Sequence, residues 1–138
     1  ELKNIVGVKD ATGDLNRVDK QLMSMGKDFI QLTGNDDNAL EFNRRGGVGS
    51  ISVTANIAAK YCSDFQKACV ENKEKAEELD KILQPVHNSM FIESNPSPVK
   101  FAASLLGLCN PDVRLPLVEV TDKTKKKISE ALKVAKLL

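Results

Sequence analysis

Three short apolar runs alternate with longer amphipathic stretches in the first half of this chain. The runs are Ile5–Lys9, Phe29–Thr33 and Ser50–Val53. A strand that is apolar at almost every position is normally covered on both faces, as in a parallel sheet. Strands that alternate with helices indicate right-handed βαβ units. The pattern therefore predicts an α/β fold built on a parallel sheet.

Apolar residues at helical spacing predict the helices around this sheet. Asp14 is a candidate cap for the first helix, and Asp36 or Asp37 for the second. Beyond residue 72 only helical patterns occur, so we expect a strand-and-helix part at 1–72 and a helical region at 73–138. The predicted helices are Asp14–Met25, a helix from Asp36 or Asp37 to Arg45, a helix led in by Thr54–Asn56, Lys73–Met90, Ser97–Leu106 and Thr121–Leu138.

The predicted strands are too few to close a barrel. A three-stranded parallel sheet would also leave backbone donors and acceptors unpaired at both edges. The chain starts at Glu1, without an initiator Met and almost directly on a strand. We therefore expect a piece of a longer protein, with the remaining strands supplied by other polypeptide.

Composition argues against several classes of protein. The chain has 138 residues, 41% of them hydrophobic and 28% charged, as in an ordinary globular domain. Lys and Arg number 20 and Asp and Glu number 19, which leaves a net charge of +1 and indicates neither a nucleic-acid partner nor an anionic membrane surface. No apolar run approaches the roughly 18 residues of a membrane span.

The three cysteines are odd in number and show no CxxC spacing. This pattern predicts neither a disulfide framework nor a zinc site, and we expect no metal. A reducing cytoplasm fits this cysteine usage best. The cysteines are Cys62, Cys69 and Cys109.

Lys9 is the first candidate for chemistry. It closes the first apolar run and is followed by a predicted turn at Asp10–Asp14. The carboxyl ends of barrel strands carry the active sites of α/β enzymes. Ile5, Gly7 and Lys9 share one face, and we expect Gly7 to leave room beside the amine. A water-poor interior would favour the neutral amine, which attacks a ketone to form a Schiff base. The alternative is an ordinary solvated lysine.

Two other segments allow a functional and a structural interpretation. The glycine-rich segment Arg44–Ser50 could hold phosphate, but it ends a predicted helix and precedes a strand, the reverse of a phosphate-binding loop. A helix stop with close packing is the favoured interpretation. Gly34–Asp37 could supply oxygen ligands to a metal, whereas a helix cap needs the same residues and is favoured.

His87 and a basic run complete the candidates. His87 is the only histidine, and we expect it on the polar side of its helix, away from the strand ends, where it would not act as a general base. Lys123–Lys127 lies on an amphipathic helix, and a solvated face is the favoured interpretation given the balanced charge.

Several segments together resemble the dihydrodipicolinate synthase family of pyruvate-dependent class I aldolases. They occur in the order and spacing of that family and cover essentially the whole chain. Ala11–Gly13 after the lysine is closer to the biosynthetic branch than to the sialic-acid lyases. The matching segments are Ile5–Asp14, Leu32–Asp36, Gly46–Asn56, Asn95–Lys100 and Arg114–Leu117.

The resemblance implies a fold and a site. The fold would be the last three βα units of a (β/α)8 TIM barrel plus a C-terminal helical region, an incomplete barrel on its own. Lys9 would form the imine with pyruvate, and the resulting enamine would condense with aspartate semialdehyde in the diaminopimelate route to lysine. Ile51 matches a residue whose backbone carbonyl lines the pyruvate pocket, and Gly34 matches a position at the pocket mouth. No cofactor is implied, and a homo-oligomer is expected.

The amino-terminal half of the family fold would supply paired threonines, a tyrosine and an arginine that this chain lacks at corresponding places. Positioning and acid–base groups each contribute orders of magnitude to a rate, so we expect catalysis only with that half present. Two alternatives stay open. One is a non-catalytic fragment or interaction module, and the other is a related pyruvate-dependent sugar-acid aldolase.

Overall fold

Two parallel strands, β1 (Gly7–Asp10) and β2 (Ile30–Thr33), form the sheet of the computed structural model, which describes residues 3–138. The register pairs Gly7 with Ile30 and Asp10 with Thr33. Glu1, with which the sequence begins, lies outside the described residues. The parallel α/β arrangement predicted from the alternating pattern is confirmed.

The predicted third strand, Ser50–Val53, forms only in part. The segment 48–51 runs along β2, where the Thr33 N–H donates to the Gly49 carbonyl at 3.0 Å and the Ile51 N–H donates to the Thr33 carbonyl at 2.8 Å. A single bridge, between Thr33 and Ser50, results. The prediction was too long because the N–H of Val53 donates to a side chain, Asp36, and the chain leaves the ladder there.

Residues 3–138 contain six α-helices: one between the two strands and five after the second strand. Short 3-10 turns at Asp36–Asn38 and Thr54–Asn56 precede the second and third helices. The first helix begins two residues after the predicted Asp14, whose carboxylate accepts a hydrogen bond from the Asn16 N–H at 3.0 Å in the turn before it. The helices are α1 (Asn16–Met25), α2 (Ala39–Arg44), α3 (Ala59–Glu71), α4 (Lys73–Ser89), α5 (Ser97–Leu105) and α6 (Asp122–Val134).

Two hydrophobic cores join the strand-and-helix part to the helices beyond it. One core packs residues of α2 and α3, Phe65 among them, against Leu83 and its neighbours on α4. The other packs Ile57, just after the second 3-10 turn, against α4, α5 and α6. Leu137 contacts both cores. The division at residue 72 remains a prediction, and apolar packing is continuous across it.

The sheet has a covered face and an open face. Asp10, Gln31 and Thr33 are buried, and Asp10 and Gln31 bond to α1. The alternate positions form the open face, defined here as Gly7, Lys9, Ile30, Leu32 and Ile51, because side chains alternate along a strand. Ile30 is 44% exposed and Ile51 is 50% exposed, which is unusual for aliphatic side chains of a parallel sheet. None of the helices described is long and apolar enough to cross a bilayer.

Candidate active site

Lys9 lies in β1 opposite Leu32 of β2. Its side chain is exposed and belongs to the open face, whereas the next residue, Asp10, is buried on the covered face. The predicted strand end is off by one residue, because β1 continues to Asp10 and Lys9 is the third of its four residues. The water-poor surroundings expected of the amine are not formed by residues 3–138. Since the chain covers this face with no element of its own among residues 3–138, the amine is accessible.

Gly34 lies directly against the Lys9 side chain. A Cβ added at Gly34 would stand 2.6 Å from the Cε of Lys9 and 2.7 Å from the Cβ of Ala11, far inside contact distance. The Gly34 N–H donates to the Asp10 carbonyl at 2.7 Å, so the backbone there cannot easily retreat. The missing side chain at Gly34 is what leaves space for Lys9.

Gly7 does not have the role expected of it. A Cβ there would meet the Ile30 carbonyl oxygen at 2.5 Å and the Ile30 Cβ at 2.7 Å, and no atom of Lys9 is among the nearest. Gly7 therefore lets β2 approach β1 closely. The glycine that leaves space beside the Lys9 side chain is Gly34, in the loop after β2, and not Gly7.

Ile51 lies on the other side of β2 from Lys9. Its N–H is fixed on the Thr33 carbonyl, and its side chain belongs to the open face. Gly34 follows β2 directly, so the ends of three parallel segments bring Lys9, Gly34 and Ile51 to one edge of the sheet. In barrel enzymes this edge carries the active site.

Asp10 connects β1 to α1 beneath the lysine. Its Oδ1 accepts from the N–H of Thr12 at 2.9 Å and from the Thr12 hydroxyl at 2.6 Å, and its Oδ2 accepts from Arg17 Nε at 2.5 Å and Gln21 Nε2 at 3.3 Å. Burial raises the pKa of this carboxyl, but the hydrogen bonds from Thr12 and Arg17 outweigh it and lower the pKa from 3.8 to about 2. Asp10 is a fixed anion that anchors the loop after Lys9.

Asp36 does not cap its own helix, contrary to the favoured interpretation of Gly34–Asp37. Neither the 3-10 turn at Asp36 nor α2 has a capping side-chain bond. Asp36 Oδ2 instead accepts from the N–H groups of Val53 at 2.9 Å and Thr54 at 3.0 Å, which lie two and three residues beyond Ile51. Among the described residues, no three acidic, cysteine or histidine side chains cluster so as to hold a metal ion.

His87 is buried, not on the polar side of its helix as predicted. It is 3% exposed, and its Nδ1 shares a hydrogen bond of 2.7 Å with the Thr54 hydroxyl. Burial lowers the pKa of the imidazole. The negative charges of Asp36, Asp80 and Asp37 act in the opposite direction but do not outweigh it. The signal for burial is its spacing, since Leu83, His87 and Met90 fall at i, i+4 and i+7 on one face.

The remaining candidates have structural roles. The glycine-rich segment ends α2 with Gly46 at a φ of 111°, and a Cβ at Gly47 would lie 2.1 Å from the Phe42 ring, as the favoured helix stop and close packing require. In the basic run, Lys125 pairs with Glu119 at 3.4 Å and lies 5.9 Å from the Phe101 ring centroid. The other lysines of that run are exposed.

The sequence model of the Dihydrodipicolinate synthetase family matches residues 1–135. The chain belongs to this family. The 4-hydroxy-tetrahydrodipicolinate synthase of Pelagibacter ubique is 74% identical to this chain over 142 residues. The alignment covers 100% of this chain and 48% of that protein. The corresponding synthase of Parvibaculum lavamentivorans is 52% identical over 139 residues, with the same shares of 100% and 48%.

Solved structures of the dihydrodipicolinate synthase family match the fold. The crystal structure of the Thermotoga maritima enzyme has a TM-score of 0.95 at 36% identity, covering 100% of this chain and 48% of that one. The chloride-inhibited Acinetobacter baumannii enzyme, complexed with pyruvate, has a TM-score of 0.94 at 37% identity with the same coverage. The chain spans about half the length of the relatives it matches.

Proposed function

We propose that this chain is the Schiff-base-forming part of a class I aldolase-type lyase that condenses pyruvate with aspartate semialdehyde, in lysine (diaminopimelate) biosynthesis. The observation that carries the proposal is the placement of an accessible lysine amine near a strand's carboxyl end, with Gly34 leaving space for it. The names of the relatives support the reaction, and the pyruvate complex of the Acinetobacter baumannii enzyme supports the first substrate.

The chemistry begins at the Lys9 amine. The amine adds to the C2 ketone of pyruvate and water leaves, which forms an imine. Loss of a proton from C3 gives an enamine, and its carbon attacks the aldehyde of aspartate semialdehyde. Hydrolysis of the new imine then releases the product and restores the lysine. Ile51 lines the keto-acid pocket with its carbonyl, and Gly34 lies at the pocket mouth.

The rest of the barrel has to come from the amino-terminal half. The chain is the last three βα units of a (β/α)8 barrel with its C-terminal helical region, and the open face is the part of the barrel interior that it contributes. Exposed Ile30 and Ile51 support this assignment, because apolar side chains of a barrel interior are packed in layers by the other strands. We also propose a homo-oligomer in the cytoplasm.

Borohydride trapping tests the proposal. The chain is assayed alone and as a completed barrel, which we define as this chain joined to the amino-terminal half of the Pelagibacter ubique relative. With pyruvate and borohydride, mass spectrometry should find one stable adduct on Lys9 of the completed barrel. Lys9→Ala should abolish the adduct. Lys20→Ala, a matched change at an exposed lysine of α1, should leave it intact.

The outcomes separate the alternatives. Absence of an adduct on the completed barrel would favour a non-catalytic interaction module. An adduct with turnover of a 2-keto-3-deoxy sugar acid, but not of aspartate semialdehyde, would favour a sugar-acid aldolase.

A further inference from the structure

Two buried titratable side chains lie beside the proposed site without a part in its chemistry. Asp36 and His87 are each 3% exposed, and Thr54, which bonds to both, is fully buried. Burying such groups costs free energy unless their hydrogen bonds are made, so their partners indicate what the arrangement holds in place. Both side chains bond to the same short segment, Val53–Thr54, so three separate parts of the chain meet there.

Asp36 joins the two segments that carry the predicted pocket residues. It follows Gly34 by two positions, in the loop after β2. Its Oδ2 accepts from the backbone N–H groups of both Val53 and Thr54. Two bonds from consecutive N–H groups to one oxygen fix the direction of the chain just after Ile51.

The Ile51 carbonyl depends on this attachment. The N–H of Ile51 is held by the sheet, on the Thr33 carbonyl at 2.8 Å. Its carbonyl belongs to the peptide unit shared with Ser52, whose hydroxyl accepts from the Ala55 N–H at 2.9 Å. The first backbone N–H after Ile51 with a hydrogen-bond partner is that of Val53, which donates to Asp36 at 2.9 Å. Releasing that point would let the carbonyl turn while the strand pairing stayed intact.

His87 connects Thr54, and so the segment after Ile51, to α4. The Thr54 hydroxyl and His87 Nδ1 are 2.7 Å apart. α4 is held firmly near His87, because Leu83 and Val86 are fully buried in the two cores. The imidazole therefore transmits the position of the helical region to the peptide that follows Ile51.

We propose that Asp36, Thr54 and His87 are positioning residues that hold the Gly34 and Ile51 segments at the geometry which keto-acid binding needs. We call these three residues the clamp. Through the clamp, the carboxyl-terminal helical region takes part in substrate binding although it contributes no group to the chemistry. This inference rests on the proposed function, since it concerns the same pocket.

A matched pair of substitutions in the completed barrel tests the clamp. Thr54→Val keeps the shape of the side chain and removes the bond to His87. Thr121→Val is the control, because it removes the capping bond of the Thr121 hydroxyl at the start of α6, a hydroxyl that bonds to Glu93 and Thr124 and to none of the clamp residues. The pyruvate concentration for half-maximal borohydride trapping should rise about tenfold in Thr54→Val, since small misplacements near a reacting group are costly. It should be unchanged in Thr121→Val, and Thr54→Ser should restore it.

A second substitution keeps the test decisive if Thr54→Val folds poorly, because His87→Leu alone should also raise the pyruvate concentration for half-maximal trapping about tenfold. His87→Leu removes the same bond from the other side, so the double variant should shift half-maximal trapping no further than either single variant. Additive shifts in the double variant, or equal behaviour of Thr54→Val and Thr121→Val, would overturn the clamp while wild-type trapping upholds the proposed function. Failure of the wild-type barrel to form the adduct would overturn both.

Discussion

At the residue scale, the space for Lys9 depends on a residue that has no side chain. Gly34 is held by its own N–H on the Asp10 carbonyl, and a Cβ at this position would stand 2.6 Å from Cε of Lys9, the carbon that bears the amine. A single methyl group placed there would compete directly with Lys9 Cε. The site is therefore sensitive to the smallest possible increase in volume.

Gly34→Ala tests this dependence. We expect the completed barrel to fold but to lose at least about tenfold in pyruvate trapping on Lys9, because the displaced side chain loses its geometry. Gly47→Ala is the matched control, since its Cβ would meet the Phe42 ring and not the lysine. The control should lower the urea midpoint and leave trapping by the folded protein unchanged. Normal trapping in Gly34→Ala would refute the steric role.

Sequence reasoning reaches some of these residues and misses others. Lys9 stands out in its own segment, as a lysine that ends an apolar run before a turn, whereas Gly34 is reached as a pocket residue only through the family resemblance. The partners of Asp36 and His87 lie 17 and 33 positions away, so no local pattern announces them. The sequence predicts a cap at Asp36 or Asp37 because a cap and a long-range acceptor require the same residue type.

At the scale of elements, Asp10 fastens α1 to β1. It accepts from Arg17 and Gln21 of α1 and from both donors of Thr12 in the connecting loop. The alternation of strand and helix was readable from the sequence, whereas the length of the third strand was not. Its β-branched residues favour a strand, but two N–H groups on Asp36 end the ladder early.

Asp10→Asn tests the attachment through pH. The pKa of Asp10 is lowered from 3.8 to about 2, so its carboxylate stabilises the fold above about pH 4 and this contribution is lost as the pH falls towards 2. At pH 7 the substitution should cost about 1–2 kcal/mol in the free energy of unfolding, discounted because Arg17 is half exposed.

Urea unfolding at a series of pH values measures this contribution. The difference in free energy of unfolding between wild type and Asp10→Asn should shrink below pH 4. Asp28→Asn, at an exposed aspartate, is the surface control and should change the free energy of unfolding at pH 7 by no more than about 0.5 kcal/mol. A difference that stayed constant down to pH 2 would show that the Asp10 charge is not the cause.

At the scale of the whole molecule, the open face sets what the chain requires of a partner. It carries Ile30 and Ile51, both about half exposed, around the lysine. The expectation of further strands comes from the count of apolar runs in the sequence. The two cores that unite both parts of the chain could not be predicted from the sequence, because they are made of contacts between residues far apart in it.

Ile30→Ser should change stability differently in the chain alone and in the completed barrel. In the chain alone Ile30 is already 44% exposed, and the change should move the free energy of unfolding by no more than about 0.5 kcal/mol. In the completed barrel it should cost about 2–4 kcal/mol, because a buried aliphatic side chain is lost and a hydroxyl is buried. Val70→Ser, on the exposed side of α3, should be neutral in both. Equal effects of Ile30→Ser in the two forms would contradict the assignment of the open face to a barrel interior.

Leu137 contacts both hydrophobic cores. Neither core therefore has all its contacts until the ribosome has added this residue. Domains commonly fold as units during synthesis, beginning from the amino terminus. Until Leu137 has emerged from the ribosome, the earlier elements can only assemble in an unfinished form.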